Sequence, residues 1–206
     1  MMRTIMQRAM SASAVLLLTA SMAAAQQPPT VRVRGTIETI DGRVLSVKGR
    51  DGAPITVKLA DGAPVRTVVK QSLADVKTGS FVGITAMPQA DGTQKAVEIH
   101  IFPEAMRGTG EGHRPWDLMP NSTMTNANVD SVVIGADGEA LVLRYKDGEK
   151  KFIVPANVEV VLFTPASVSD LKPGEKIFVA AAKRLPDGTL EAPNVTVSRN
   201  GVAPPM

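Results

Sequence analysis

The chain carries one pattern twice, and that repetition does more than any other feature to narrow its choice of fold. Asp41-Gly42 returns as Asp137-Gly138, Asp51-Gly52 as Asp147-Gly148, and Asp91-Gly92 as Asp187-Gly188, each 96 residues on. Between the last two pairs, Ser72-Leu-Ala-Asp-Val-Lys-Thr-Gly79 is echoed by Ser167-Val-Ser-Asp-Leu-Lys-Pro-Gly174 at a spacing of 95. Landmarks kept in one order at nearly one spacing mean two copies of one structural unit.

Each copy reads as strands. Val31, Val33 and Ile37 alternate with Arg32, Arg34 and Glu38, the period of two expected of a half-buried strand. Asp-Gly supplies the positive φ that a tight hairpin needs. Leu45 and Val47, then Ile55, Val57 and Leu59, continue the meander; Leu141, Leu143 and Tyr145, then Phe152 and Val154, repeat it. Ser72, Asp75 and Gly79 predict one or two helical turns, with Ser72 as N-cap and Gly79 as terminator. Strands four and five follow as Phe81 to Met87 and Gln94 to Phe102, and in the second copy as Lys176 to Ala182 and Leu190 to Val197.

Three strands, a short helix and a hairpin is the element order of a five-stranded OB-type barrel. The expectation is an all-β chain of two tandem five-stranded OB-like barrels, each with a short helical turn between strands three and four. A pair of open sandwich-like units sharing one core is the alternative. The boundaries are a tail at 26–30, repeat one at 31–102, a junction at 103–127, repeat two at 128–200 and a tail at 201–206.

Ahead of the repeats, Arg3 and Arg8 precede the apolar run Ala14 to Ala20 and the small residues Ala23-Ala24-Ala25. That order predicts a cleavable signal peptide over 1–25 and a periplasmic or secreted mature chain. The apolar run is shorter than the ~20 residues that span a bilayer, so no transmembrane segment is expected once the leader is removed. The leader holds two of the 23 basic residues, leaving 21 against 20 acidic ones, so net charge implies no polyanionic partner. With no cysteine, thiol catalysis and thiolate metal sites are excluded.

The junction, Pro-Glu-Ala-Met-Arg-Gly-Thr-Gly-Glu-Gly-His-Arg-Pro-Trp-Asp-Leu-Met-Pro-Asn-Ser-Thr-Met-Thr-Asn-Ala, has no counterpart inside either repeat. A connection of this length is usually functional or a linker. It contains the single Trp, Trp116, one of two histidines, His113, and Met106, Met119 and Met124. His100 lies just upstream on strand five, where Val97, Ile99 and Ile101 are expected inward and His100 outward. Imidazole and thioether ligands suit Cu(I) or Ag(I), and the neighbouring carboxylates make Zn(II) conceivable. His100, Met106, His113, Met119 and Met124 are therefore the candidate metal ligands, with Trp116, Arg107, Arg114 and Asp117 as ligand-contacting or packing residues. The spacing matches no metal motif, so the preferred reading is that these residues pin the junction onto the barrels, with no cofactor required.

The Asp-Gly hairpins, the Ser-Leu-Ala-Asp-Val-Lys-Thr-Gly turn and the stretch from Glu98 to Leu118 together resemble an uncharacterised family of bacterial exported proteins with tandem OB-like repeats. Members are sometimes labelled components of metal transporters. The resemblance spans nearly the whole mature chain and implies export and the repeat fold, but no activity. A permease role conflicts with the absence of any apolar span.

Gly108-Thr-Gly-Glu-Gly112 is followed at once by Pro115, without the flanking strand and helix of a dinucleotide site, and reads as a turning hinge. OB barrels that bind nucleic acid stack bases on aromatics, but strands two and three of the first repeat have none, so no nucleic acid partner is expected. Its basic residues form a solvated face suited at most to anionic envelope material. No hydrolase or metalloprotease signature is present. The reading is a non-catalytic binding or scaffold protein of the cell envelope, whose partner is an envelope component or small ligand; metal handling and binding on the barrel face are the alternatives.

Overall fold

The computed structural model describes residues 29–135 and 138–204. The leader over 1–25 lies outside the described residues, as do Asp137 of one Asp-Gly pair and the last two residues. The first repeat forms β1 (Thr30–Asp41), β2 (Val44–Gly49), β3 (Pro54–Leu59), β4 (Val65–Gln71), β5 (Phe81–Pro88) and β6 (Gln94–Ile101). The junction contributes β7 (Gly112–Pro115). The second repeat gives β8 (Thr123–Gly135), β9 (Gly138–Tyr145), β10 (Gly148–Val154), β11 (Glu159–Ala166), β12 (Lys176–Arg184), β13 (Leu190–Ala192) and β14 (Val195–Val197). The expected helical turns are single 3-10 turns, Leu73–Asp75 and Val168–Asp170. In each, an aspartate carboxylate accepts the N–H of the preceding serine, Ser72 or Ser167.

The fold is all-β and contains a closed five-stranded barrel, in the order β1-β2-β3-β13-β12 and back to β1. Its strands do not come from one repeat. The β1-β2-β3 meander of the first copy closes on the β12-β13 hairpin of the second, antiparallel to β12 and parallel to β13. Reciprocally, β8, β9 and β10 pair in series, β10 runs parallel to β6, and β5 pairs with both β6 and β8. The expectation that each repeat closes on itself is therefore replaced by an exchange of hairpins.

The cause is β4 and its counterpart β11, two strands absent from the sequence reading. They pair antiparallel to each other, and β14 and β6 flank them in parallel. Val68 lies opposite Phe163, 95 residues along the chain, the same spacing as the two Ser-to-Gly turns. Equivalent positions facing each other mark a local two-fold axis through this pair. Each of these strands carries the chain across the axis, so the hairpin that follows reaches the other repeat's meander.

Three apolar clusters result. One fills the closed barrel with Val33, Ile37, Leu45, Val47, Leu59 and Val179. A second lies inside the reciprocal ring with Val82, Ile84, Ile99, Leu141, Leu143 and Phe152. The third lies at the axis and joins Val68, Phe81, Phe102, Phe163 and Phe178 to Trp116 and Met124 of the junction. Among the described residues, no helix is long and apolar enough to cross a membrane.

Strand five of the second repeat, expected unbroken from Leu190 to Val197, is interrupted at Pro193-Asn194. Proline has no N–H to give the ladder, and the break marks where the chain leaves β3 for β4. In the first repeat β6 makes the same passage unbroken, from β10 at Gln94–Lys95 to β11 at 98–101.

Candidate functional site

The junction is built as a wall. Gly108, Gly110 and Gly112 all adopt positive φ (82°, 56° and 124°), a conformation that L side chains resist, so the glycine triplet is a tight turn. It delivers β7 antiparallel to β8, with Gly112 opposite Asn126 and Arg114 opposite Met124. Before the turn, Arg107 anchors the segment: its guanidinium meets the Glu104 carboxylate at 2.6 and 2.7 Å and donates to Asn128 Oδ1 and to the Gly79 carbonyl. After β7, the Trp116 backbone N–H donates to the Ser122 carbonyl, and the Ser122 hydroxyl, 3.1 Å from the Trp116 carbonyl and 2.8 Å from that of Met119, closes the loop. Asn121 turns that loop with φ of 63°.

Successive side chains of β7 point to opposite faces. His113 turns away and shares a 2.7 Å hydrogen bond with Thr125 Oγ1. Its pKa is lowered by burial first and by Lys150 and Arg114 second. Arg114 and Trp116 turn inward and enclose a cavity of about 230 Å³ against both repeats. Arg66 of β4, His100 and Phe102 of the first repeat's last strand, and Met124 and Asn126 of β8 complete its polar and apolar sides. Phe163 and Phe178 form the far wall, and Met106 stands at the junction side.

Cations surround the indole. The Arg32 guanidinium lies 4.0 Å from the Trp116 ring centroid, Arg114 5.5 Å and Arg34 5.6 Å. Contacts of this kind contribute about 0.5–2 kcal/mol according to exposure. Arg34 and Arg32 meet Asp117 at 2.9 and 3.6 Å. Burial raises the Asp117 pKa, but the Arg34 hydrogen bond and the two guanidinium charges outweigh it and hold the carboxyl below its ordinary value.

His100 lies on the face opposite Ile99 and Ile101, as expected, but that face is not exposed: His100 and Glu98 are both buried. Strand five leaves the barrel here, and its outer face is covered by β11 and the aromatic cluster; the His100 ring lies 4.9 Å from Phe102 and 5.3 Å from Phe163. A bulge opposite Thr85 and Ala86 makes Val97 the extra residue, so Ala96, Ile99 and Ile101 face the apolar ring while Glu98 and His100 share the opposite, covered face. Glu98 accepts from the Thr85 hydroxyl and lies 3.3 Å from His100 Nδ1, so a buried Thr85-Glu98-His100 chain backs the cavity.

Of the candidate metal ligands, the structure gathers His100, Met106 and Met124 at the cavity, while His113 and Met119 stand apart from it. Among the described residues no group of three or more His, Asp or Glu side chains is placed to hold a metal ion. Of the contact candidates, Trp116 and Arg114 line the cavity, Asp117 orients two arginines behind the indole, and Arg107 fastens the junction. Arg66, Asn126 and Phe163 belong to the site without having been singled out. Arg66 reads in sequence as one more solvated charge, and nothing local distinguishes it.

Two buried polar atoms at this cavity have no hydrogen-bond partner among the described residues: Trp116 Nε1, a donor, and Asn126 Oδ1, an acceptor. The Asn126 amide is oriented by its own Nδ2, which donates to the Thr109 carbonyl at 2.9 Å. Comparison of the chain with protein-family models, curated proteins and solved structures finds no match.

Proposed function

We propose that this chain is an exported, non-catalytic binding protein of the cell envelope, built of two OB-like barrels that exchange their last hairpins, and that it holds a small molecule in the cavity between them. The observation that carries the reading is the pair Trp116 Nε1 and Asn126 Oδ1. Buried polar groups are nearly always satisfied, and each one left without a partner costs about 1–3 kcal/mol. Two of opposite polarity on one cavity, beside four aromatic rings, fit a mostly apolar site with a few placed polar groups. At about 230 Å³ the cavity lies just below the common range of roughly 300–1,000 Å³, which points to a small ligand.

Trp116 is the single tryptophan, so its emission reports on the site. Titration of residues 26–206 with a broad panel of small organic compounds should give saturable changes for a subset. Ala180→Phe, which fills the mouth from an exposed position on β12, should abolish them. A panel that leaves the emission unchanged, or responses that survive Ala180→Phe, would refute the cavity as a binding site.

The convergence of His100, Met106 and Met124 supports a second reading, soft-metal handling. It predicts quenching of Trp116 by one equivalent of Cu(I) or Ag(I), lost in Met106→Ala/Met124→Ala. Two arginines on the same cavity oppose a cation there, which places this reading second.

A further inference from the structure

We infer that the ligand of this cavity is a small organic acid, a carboxylate on a flat, ring-bearing body with a hydrogen-bond donor at its other end. The inference rests on the cavity being a binding site and adds the chemical class of its occupant.

The charge of the cavity calls for an anion. Arg66 and Arg114 both line the cavity, and both are half-buried. Among the described residues neither has a carboxylate partner. Arg114 donates to the Gly110 carbonyl at 2.7 Å, and the Arg66 guanidinium has no hydrogen bond or ion pair among the described residues. The acids nearby are already engaged: Asp117 by Arg34 and Arg32, and Glu98 by Thr85 and His100 behind the wall. Two guanidiniums sharing a partly desolvated space without a counter-charge is an unfavourable arrangement that an anion relieves. Burial lowers the pKa of both arginines, and Arg32 adds to the effect at Arg114. The planar guanidinium fork matches a carboxylate in two parallel hydrogen bonds.

The shape of the cavity calls for a flat body. Phe102, Phe163, Phe178 and Trp116 present ring surface to the cavity, which suits a flat apolar body. The two unpartnered atoms set the polar ends of the ligand. Trp116 Nε1 can donate to the same carboxylate, on the indole that Arg114 overlies. Asn126 Oδ1 accepts only, so it calls for a hydroxyl or amine on the ligand.

Isothermal titration of residues 26–206 with matched pairs of acid and primary amide tests this. The pairs are 4-hydroxybenzoate with 4-hydroxybenzamide, benzoate with benzamide, and indole-3-acetate with indole-3-acetamide. The acid of at least one pair should bind tenfold or more tighter than its amide, and 4-hydroxybenzoate should exceed benzoate. Arg114→Gln and Arg66→Gln, with folding checked by circular dichroism, should each erode the preference for the acid. Acid and amide binding equally, or neutral compounds alone binding, would overturn the inference while leaving the cavity a binding site. Silence from these pairs and from the wider panel would defeat both. Should both arginine variants unfold, the acid-to-amide ratio of the unaltered protein still decides.

Discussion

Replacing Gly83 with alanine tests whether the buried polar chain behind the cavity is as tightly placed as its geometry implies. Gly83 sits on β5 between His100 on one side and Asn126 on the other. A Cβ added there would fall well inside van der Waals distance of His100 Nε2 and Cε1, and 2.7 Å from Asn126 Oδ1. The imidazole has little room to retreat, because Phe102 and Phe163 hold its other edges and the residue is 1% exposed. Overpacking of this kind costs roughly 1–3 kcal/mol. Moving the ring from Glu98 removes one partner of a buried carboxylate, adding about 1–3 kcal/mol. Alanine's advantage over glycine in a strand returns roughly 0.5–1 kcal/mol. The expected net loss is therefore about 3 kcal/mol, or ~6–12 °C in Tm for a chain of this size. Urea denaturation of Gly83→Ala, His100→Ala and the double variant makes the measurement a cycle. With His100 removed only the Asn126 amide has to give way, so the second substitution should cost much less than it does beside the imidazole. A Gly83→Ala loss below about 1 kcal/mol, or the same loss in the His100→Ala background, would refute the close-packing argument.

Three further predictions follow from the exchange of hairpins and from charge. Residues 26–102 alone lack β12 and β13, so they should be unfolded or form a dimer that supplies the missing hairpin from a second copy; a folded monomer in sedimentation and circular dichroism would contradict the exchange. Phe163→Ala, at the two-fold axis and 3% exposed, should lower stability by about 3–5 kcal/mol in urea denaturation. His113 has a lowered folded pKa, so its contribution is present above its unfolded value near ~6.5 and is lost as pH falls through the folded value. Stability should therefore decline on acidification below pH ~6.5, and His113→Gln should flatten that limb; an NMR titration placing His113 above ~6.5 would reverse the sign.

The strand-rich character and most strand positions were legible in the sequence because each is a local property. Alternation of Val33 and Ile37 with charged neighbours is read within a few residues, and the Asp-Gly landmarks announce turns through glycine alone, with Gly42 and Gly52 at positive φ as expected. The junction's unusual composition was also legible, and its Trp116, Met106 and Met124 all line the cavity. Partner choice was not. Both repeats carry the same hydrophobic pattern, so a hairpin such as β12-β13 fits either meander by period alone, and only β4 and β11 break the tie. Those strands lack a clean alternation: in Val65–Gln71 the buried residues are Val65, Thr67 and the adjacent Val68, so both faces contribute to the interior at its centre. The burial of His100 was hidden for the same reason: whether the outer face of β6 meets water or the other repeat depends on contacts some 60 residues away at Phe163. The sequence by itself determined the elements, whose code is short-range. The tertiary structure alone decided which copies they join and which buried polar atoms were left facing the cavity, because both depend on packing between distant segments.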